Sequence, residues 1–147
     1  MNLARALATR GQTAEARFEF EQSLALKPEF TDARVDYARL LASLNLLAAA
    51  TEQAQRAVRV DPRSAAAHEI LGALWAGRGN VEAARREWQS AIQIQPNFAR
   101  AQFELGMLLA QQGDRAGATS HLLIAARSPD PEIRSAAQQA LSRMDRR

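Results

Sequence analysis

Cysteine is absent from the 147 residues, which excludes disulfides, thiolate metal sites and cysteine nucleophiles. Lysine is almost absent: Lys27 is the only one, and arginine supplies the rest of the 19 basic residues. The sequence pI of about 10.5 follows from that choice, because arginine does not titrate in the accessible range and the net charge is only +3. Basic residues never run beyond two in a row and are spread along the chain, so nucleic acid is not an expected partner. Binding through the arginines stands as an alternative whose mark is affinity that falls steeply with salt. Aromatic residues make up 5% and β-branched residues are sparse, whereas alanine supplies about a fifth of the chain, a balance that favours helix over strand. No stretch approaches the ~18 apolar residues that read as a membrane span. Arg5 and Arg10 interrupt the segment from Met1 to Gln12, so it lacks the apolar core of a leader peptide, and a cytoplasmic setting is favoured.

What is present is recurrence. Pro28, Pro62 and Pro96 are spaced 34 apart. At the same interval stand Leu3, Tyr37, Leu71 and Leu105; Leu7, Leu41, Trp75 and Leu109; Ala16, Ala50, Ala84 and Ala118; and Phe20, Ala54, Trp88 and Leu122. Gly72 and Gly106 repeat as a pair whose earlier counterparts are Ala38 and Ala4, and Gly11, Asn45, Gly79 and Gly113 mark turns. A fixed period of this size signals a solenoid of stacked supersecondary units. Within a unit the spacing is helical: Leu71, Leu74 and Trp75 share one face, Gly79-Asn80 breaks the chain, and Ala84, Trp88, Ala91 and Ile92 form a second stripe that ends before Pro96. Each unit is therefore predicted to be two antiparallel helices of about 14 residues. Gly72 and Gly106 fall inside helices, where glycine costs about 1 kcal/mol relative to alanine, so close approach of the paired helix is their expected compensation.

Unit three, residues 65–98, carries Leu71, Gly72, Trp75, Gly79, Ala84, Trp88, Ala91 and Pro96, and in this it resembles the tetratricopeptide repeat family over nearly the whole chain. The strict spacing and the proline speak against the 35-residue pentatricopeptide pattern. The resemblance implies an all-α, right-handed solenoid with units at about 1–30, 31–64, 65–98 and 99–130. Three departures stand out: the first helix of unit one lacks about one turn, Ala54 replaces a bulky residue, and Ser128-Pro129-Asp130-Pro131 replaces the single proline of unit four. The Ala54 exchange predicts a looser or closer helix pair in unit two. A capping helix is expected over about 131–145, with Asp130 as N-cap, Pro131 in its first turn, and Ile133, Ala136, Ala137, Ala140, Leu141 and Met144 on one apolar face.

No catalytic constellation emerges. His68 and His121 are 53 residues apart, and neither has a second ligand at helical spacing, so no metal or cofactor is expected. His68 stands at a large packing position, and His121 is expected on the outer face of its helix. Asp114, Ser120 and His121 are close in sequence, but adjacent helical residues point apart. Gly77-Arg78-Gly79 follows no strand and reads as a helix end, not a phosphate loop. In proteins that resemble this one, the first helix of each unit lines a concave surface that takes a peptide or helix of a protein partner. Positions 2, 5, 9 and 12 of the unit share that face, giving Arg5; Asp32, Val35 and Arg39; Ala66, Glu69 and Ala73; and Arg100, Phe103 and Met107. Phe103 and Met107 are expected to face solvent as an apolar anchor, and Arg5, Arg39 and Arg100 to fork onto partner carboxylates. The Lys and Asn pattern of the chaperone-binding carboxylate clamp is missing. The function expected is thus non-enzymatic protein binding; the alternatives are self-association through the uncovered N-terminal end and a place within a longer repeat protein.

Overall fold

The chain is described by a computed structural model over residues 2–146, the side chain of Asn2 excepted; Met1 and Arg147, the two ends of the expected array, lie outside the described residues. Among the described residues there are nine α-helices and no strand: α1 (Asn2–Thr9), α2 (Thr13–Leu26), α3 (Thr31–Ser43), α4 (Leu47–Val60), α5 (Ala65–Gly77), α6 (Val81–Ile94), α7 (Ala99–Gln111), α8 (Arg115–Ala125) and α9 (Pro131–Asp145). Helices α1 to α8 form four antiparallel pairs, each packed on the next, and α9 lies against α8 and α7. The molecule is an all-α solenoid closed at its C-terminal end by α9.

Each pair turns in the same way. Gly11, Asn45, Gly79 and Gly113 all have positive φ, between 59° and 84°. The next amide donates back across the turn in every unit: Gln12 to Leu7, Leu46 to Leu41, Asn80 to Trp75 and Asp114 to Leu109, at 2.9–3.0 Å. This is the left-handed helix ending that satisfies the last carbonyls and reverses the chain within a few residues. Asn80 and Asp114 then cap the following helices, with Oδ1 accepting from Ala83 N at 3.2 Å and Gly117 N at 2.9 Å.

The mid-helix glycines are contact points. A Cβ at Gly72 would stand 2.5 Å from Nε1 of Trp88, and one at Gly106 would stand 2.9 Å from Cγ of Leu122. Ala4 opposite Phe20 and Ala38 opposite Ala54 hold the equivalent places, all buried. Tyr37 stacks on Phe20 with ring centroids 5.5 Å apart, joining the first pair to the second.

A polar device recurs beside this core. Six residues after each proline, a side chain donates to the proline carbonyl: Arg34 Nη2 to Pro28 at 2.7 Å, His68 Nε2 to Pro62 at 2.9 Å and Gln102 Nε2 to Pro96 at 2.6 Å. The same three side chains reach the second helix of their own unit, at Gln53, Glu87 and His121. The connection between units is tied at both ends, which satisfies carbonyls that the proline-terminated helix leaves open. His68 thus packs and also bonds. The Glu87 carboxylate on Nδ1 raises its pKa above the usual histidine value, outweighing the opposing effect of burial. His121 is not on an outer face: it is half-buried, its Nδ1 donates to Oε1 of Gln102 at 2.6 Å, and burial lowers its pKa.

At the end of the solenoid, Asp130 Oδ1 accepts from Glu132 N at 2.9 Å and Ile133 N at 3.4 Å, and Pro131 opens α9. Ala137 is buried with Leu122 and Ala125, and Ile133, Ala140, Leu141 and Met144 pack around them.

Candidate partner-binding groove

Successive odd-numbered helices touch, α3 with α5, α5 with α7 and α7 with α9, and no comparable contact joins successive even-numbered ones. The stack therefore curves with the odd helices inside. The inner face is where the sequence stripe of Arg5, Asp32, Val35, Arg39, Glu69, Arg100, Phe103 and Met107 belongs, but depth divides its members.

Val35 and Glu69 are not surface residues: they are 4% and 1% exposed. Where α3 and α5 meet, the helices approach closely enough to bury side chains at the seam, and a stripe read from sequence gives direction around a helix, not distance to its neighbour. Glu69 is held there by Arg39, whose Nη2 lies 2.5 Å from its Oε2. Arg5 likewise pairs with Asp36, its Nε donating to Oδ2 at 3.0 Å. Two of the three arginines expected to fork onto a partner are thus already engaged within the chain. Asp32 and Arg100 are exposed, and neither takes part in an ion pair among the described residues.

Phe103 and Met107 are half-buried rather than facing open solvent. They border a groove of about 480 Å³ between α7 and α9, whose other walls include Ala110, Ala136, Ala140 and Met144. Arg115 closes its end by donating to the Met144 carbonyl. The groove is mostly apolar, half-open, and large enough for a bulky side chain. The α9 wall was absent from the sequence stripe, although the Ala136, Ala140 and Met144 spacing placed these residues on one face.

A second, smaller cavity of about 270 Å³ opens on the other side of Met107, between α5, α6 and α7. Its walls are Ala76, Val81, Ala84, Trp88, Leu108, Gln111 and one carboxylate, Glu104. Burial pushes the Glu104 pKa up, the neighbouring Glu69 carboxylate pushes it further, and Arg100 opposes them. Sequence reasoning passed over Glu104 because it stands one residue off the chosen stripe. No group of three or more potential ligands fit for a metal occurs among the described residues.

A family model described as a tetratricopeptide repeat matches residues 2–74, and a second described as a TPR repeat matches residues 77–113. No curated protein matches the sequence. Among solved structures, a thermophilic TPR protein of Thermus thermophilus, TTC0263, is 26% identical with a TM-score of 0.80, covering 98% of this chain and 78% of that one. MamA 41-end from Desulfovibrio magneticus RS-1 is 23% identical with a TM-score of 0.71, covering 88% and 75%. A further MamA structure is 21% identical with a TM-score of 0.74, covering 98% and 78%.

Proposed function

Because the chain belongs to the tetratricopeptide repeat family, we propose that it is a non-enzymatic module whose inner face holds a segment of a partner protein, with a bulky apolar side chain of that segment seated between α7 and α9. Members of this family are in general interaction modules. The observation that carries the finer reading is the groove itself: Phe103, Met107, Ala110, Ala136, Ala140 and Met144 leave an apolar space that the chain does not fill. Removing an apolar side chain from water contributes about 1.5–3 kcal/mol, enough to anchor a segment whose remaining contacts are polar.

Random peptides displayed on phage and selected on the full chain supply the probe. Selected peptides, labelled and titrated by fluorescence anisotropy, are expected to lose about tenfold or more in affinity for the Phe103→Ala, Met107→Ala double variant. Circular dichroism checks that the variant keeps its helices. If every selected peptide binds the folded double variant as well as the parent, the groove is not the docking site.

A second reading, self-association, is favoured by α1. Leu3 is 57% exposed and Ala6 is exposed, whereas their counterparts Tyr37, Leu40, Leu71, Leu74 and Leu105 are buried against the preceding pair. That stripe suits a second copy or a further repeat. The engagement of Arg5 and Arg39 with acids of the same chain lowers the case for nucleic acid.

A further inference from the structure

Across the inner face, cation–acid pairs form rungs between neighbouring units, and one rung is incomplete. The ninth position of the unit holds Arg5, then Arg39, then Ala73. Arg5 on α1 reaches Asp36 on α3, and Arg39 on α3 reaches Glu69 on α5. On α7, Glu104 stands at the position of Asp36 two units on. Opposite it on α5 the register supplies Ala73, which has no charge and no reach. Glu104 makes no hydrogen bond or ion pair among the described residues, although it is half-buried. Glu69, the nearest acid, already has Arg39; Arg100 lies one turn back on α7, exposed, and is not paired with it. A carboxylate withdrawn from water without a partner costs stability that neutralisation or a counter-ion restores.

We infer that the third cation is supplied in trans: the segment bound on the inner face places a lysine or arginine head on Glu104. This rests on the groove reading above and adds the chemistry of the occupant. The cavity beside Glu104 has the right walls for such a side chain. Val81 and Met107 provide apolar surface for the aliphatic stem, the buried Ala84 and Trp88 form the floor beneath, and the Glu104 carboxylate stands beside them for the charged head. Met107 also borders the α7–α9 groove, so the two spaces are neighbours. The occupant is therefore a peptide that carries a bulky apolar residue and a basic residue close together, reading the two spaces on either side of Met107.

The peptides selected on the full chain test this separately from the groove itself. They are expected to be enriched in arginine or lysine near the apolar residue, and to lose about tenfold or more in affinity for Glu104→Gln, as when a charge-assisted hydrogen bond is lost. Ala73→Arg rebuilds the rung within the chain, competes with the peptide's cation, and is expected to weaken binding comparably while Glu104 is untouched. Circular dichroism checks that both variants keep their helices. Peptides that need Phe103 and Met107 but carry no basic enrichment, or bind Glu104→Gln as tightly as the parent, overturn the inference and leave the groove reading standing. Peptides indifferent to Phe103 and Met107 overturn both. If the chain alone self-associates and Glu104→Gln abolishes it, the cation belongs to a second copy, and the inference of a foreign segment fails.

Discussion

Two glycines five residues apart on α5 have opposite worth. Gly77 has nothing within 4 Å of a built Cβ, whereas Gly72 has the Trp88 ring at 2.5 Å. Trp88 has little room to yield: it is buried, and its Nε1 donates to the Glu69 carbonyl at 3.3 Å. Gly72→Ala is therefore expected to destabilise by about 1–3 kcal/mol despite the better helix propensity, because overpacking outweighs it. Gly77→Ala gains from the same propensity without the clash and is expected to stabilise by less than about 1 kcal/mol. Urea denaturation of the two variants gives opposite signs if the close approach is the reason for Gly72. His68 offers a second residue-level outcome. Its Nδ1 and Nε2 both face acceptors, Glu87 and the Pro62 carbonyl, so the doubly protonated ring fits. Its folded pKa lies above the reference 6.5 chiefly through Glu87. Such a histidine contributes stability that is complete below the unfolded pKa and is lost as pH climbs through the folded one. His121, lowered by burial, works the other way, so the two must be separated. His68→Gln keeps a donor for Pro62, as Gln102 does for Pro96. The difference in urea midpoint between parent and His68→Gln is expected to favour the parent at low pH and to shrink as pH rises above 6.5; a difference that does not change with pH removes the charged pair from the account.

At the scale of elements, what the sequence disclosed and what it hid have one physical origin. Helix pairs, turns and the C-terminal cap follow from period and from local chemistry, and Asp130-Pro131 begins α9 with Asp130 Oδ1 accepting two amides. Asp130→Ala is expected to cost about 0.5–2 kcal/mol and to accelerate amide exchange in α9 ahead of α3–α6, since the lost cap loosens a terminal element first. Uniform acceleration along the chain counts against that local role. Pairings between elements were less legible. Arg34, His68 and Gln102 are three different residue types, so identity gave no sign that all three donate to a proline carbonyl; only their shared distance of six residues from Pro28, Pro62 and Pro96 did. Arg5 and Arg39 read as surface charges because the stripe rule assigns direction around one helix, while their partners Asp36 and Glu69 lie on the next odd helix. The groove behind Phe103 and Met107 depends on how α9 rests on α7, which no one-helix pattern specifies. Whether Ala38 opposite Ala54 loosens or tightens α3 against α4 is likewise a matter of spacing rather than pattern; both are fully buried.

The two ends of the molecule differ, and the difference limits how copies can join. At the C-terminal end, α9 exposes Glu132, Ser135, Gln138 and Ser142, a polar face, while Gln139 and Arg143 border the groove between α7 and α9. At the other end, Leu3 and Ala6 leave bare the stripe that the preceding pair covers in every later unit. Stacking α1 of one copy on the outer face of α9 of the next would therefore set an apolar stripe against a polar one. If the α1 stripe of a second copy covers that of the first, the contact joins like to like, and a two-fold contact of that kind closes at the dimer. Light scattering across a concentration series is then expected to rise from the 16.1 kDa of the single chain toward twice that mass and to stop there. Leu3→Glu is expected to hold the chain at monomer mass while costing about 1 kcal/mol or less of stability, because the replaced side chain is 57% exposed. A constant 16.1 kDa at all concentrations removes the second copy, and growth past twice that value removes the two-fold contact, since only a heterologous surface extends without closing.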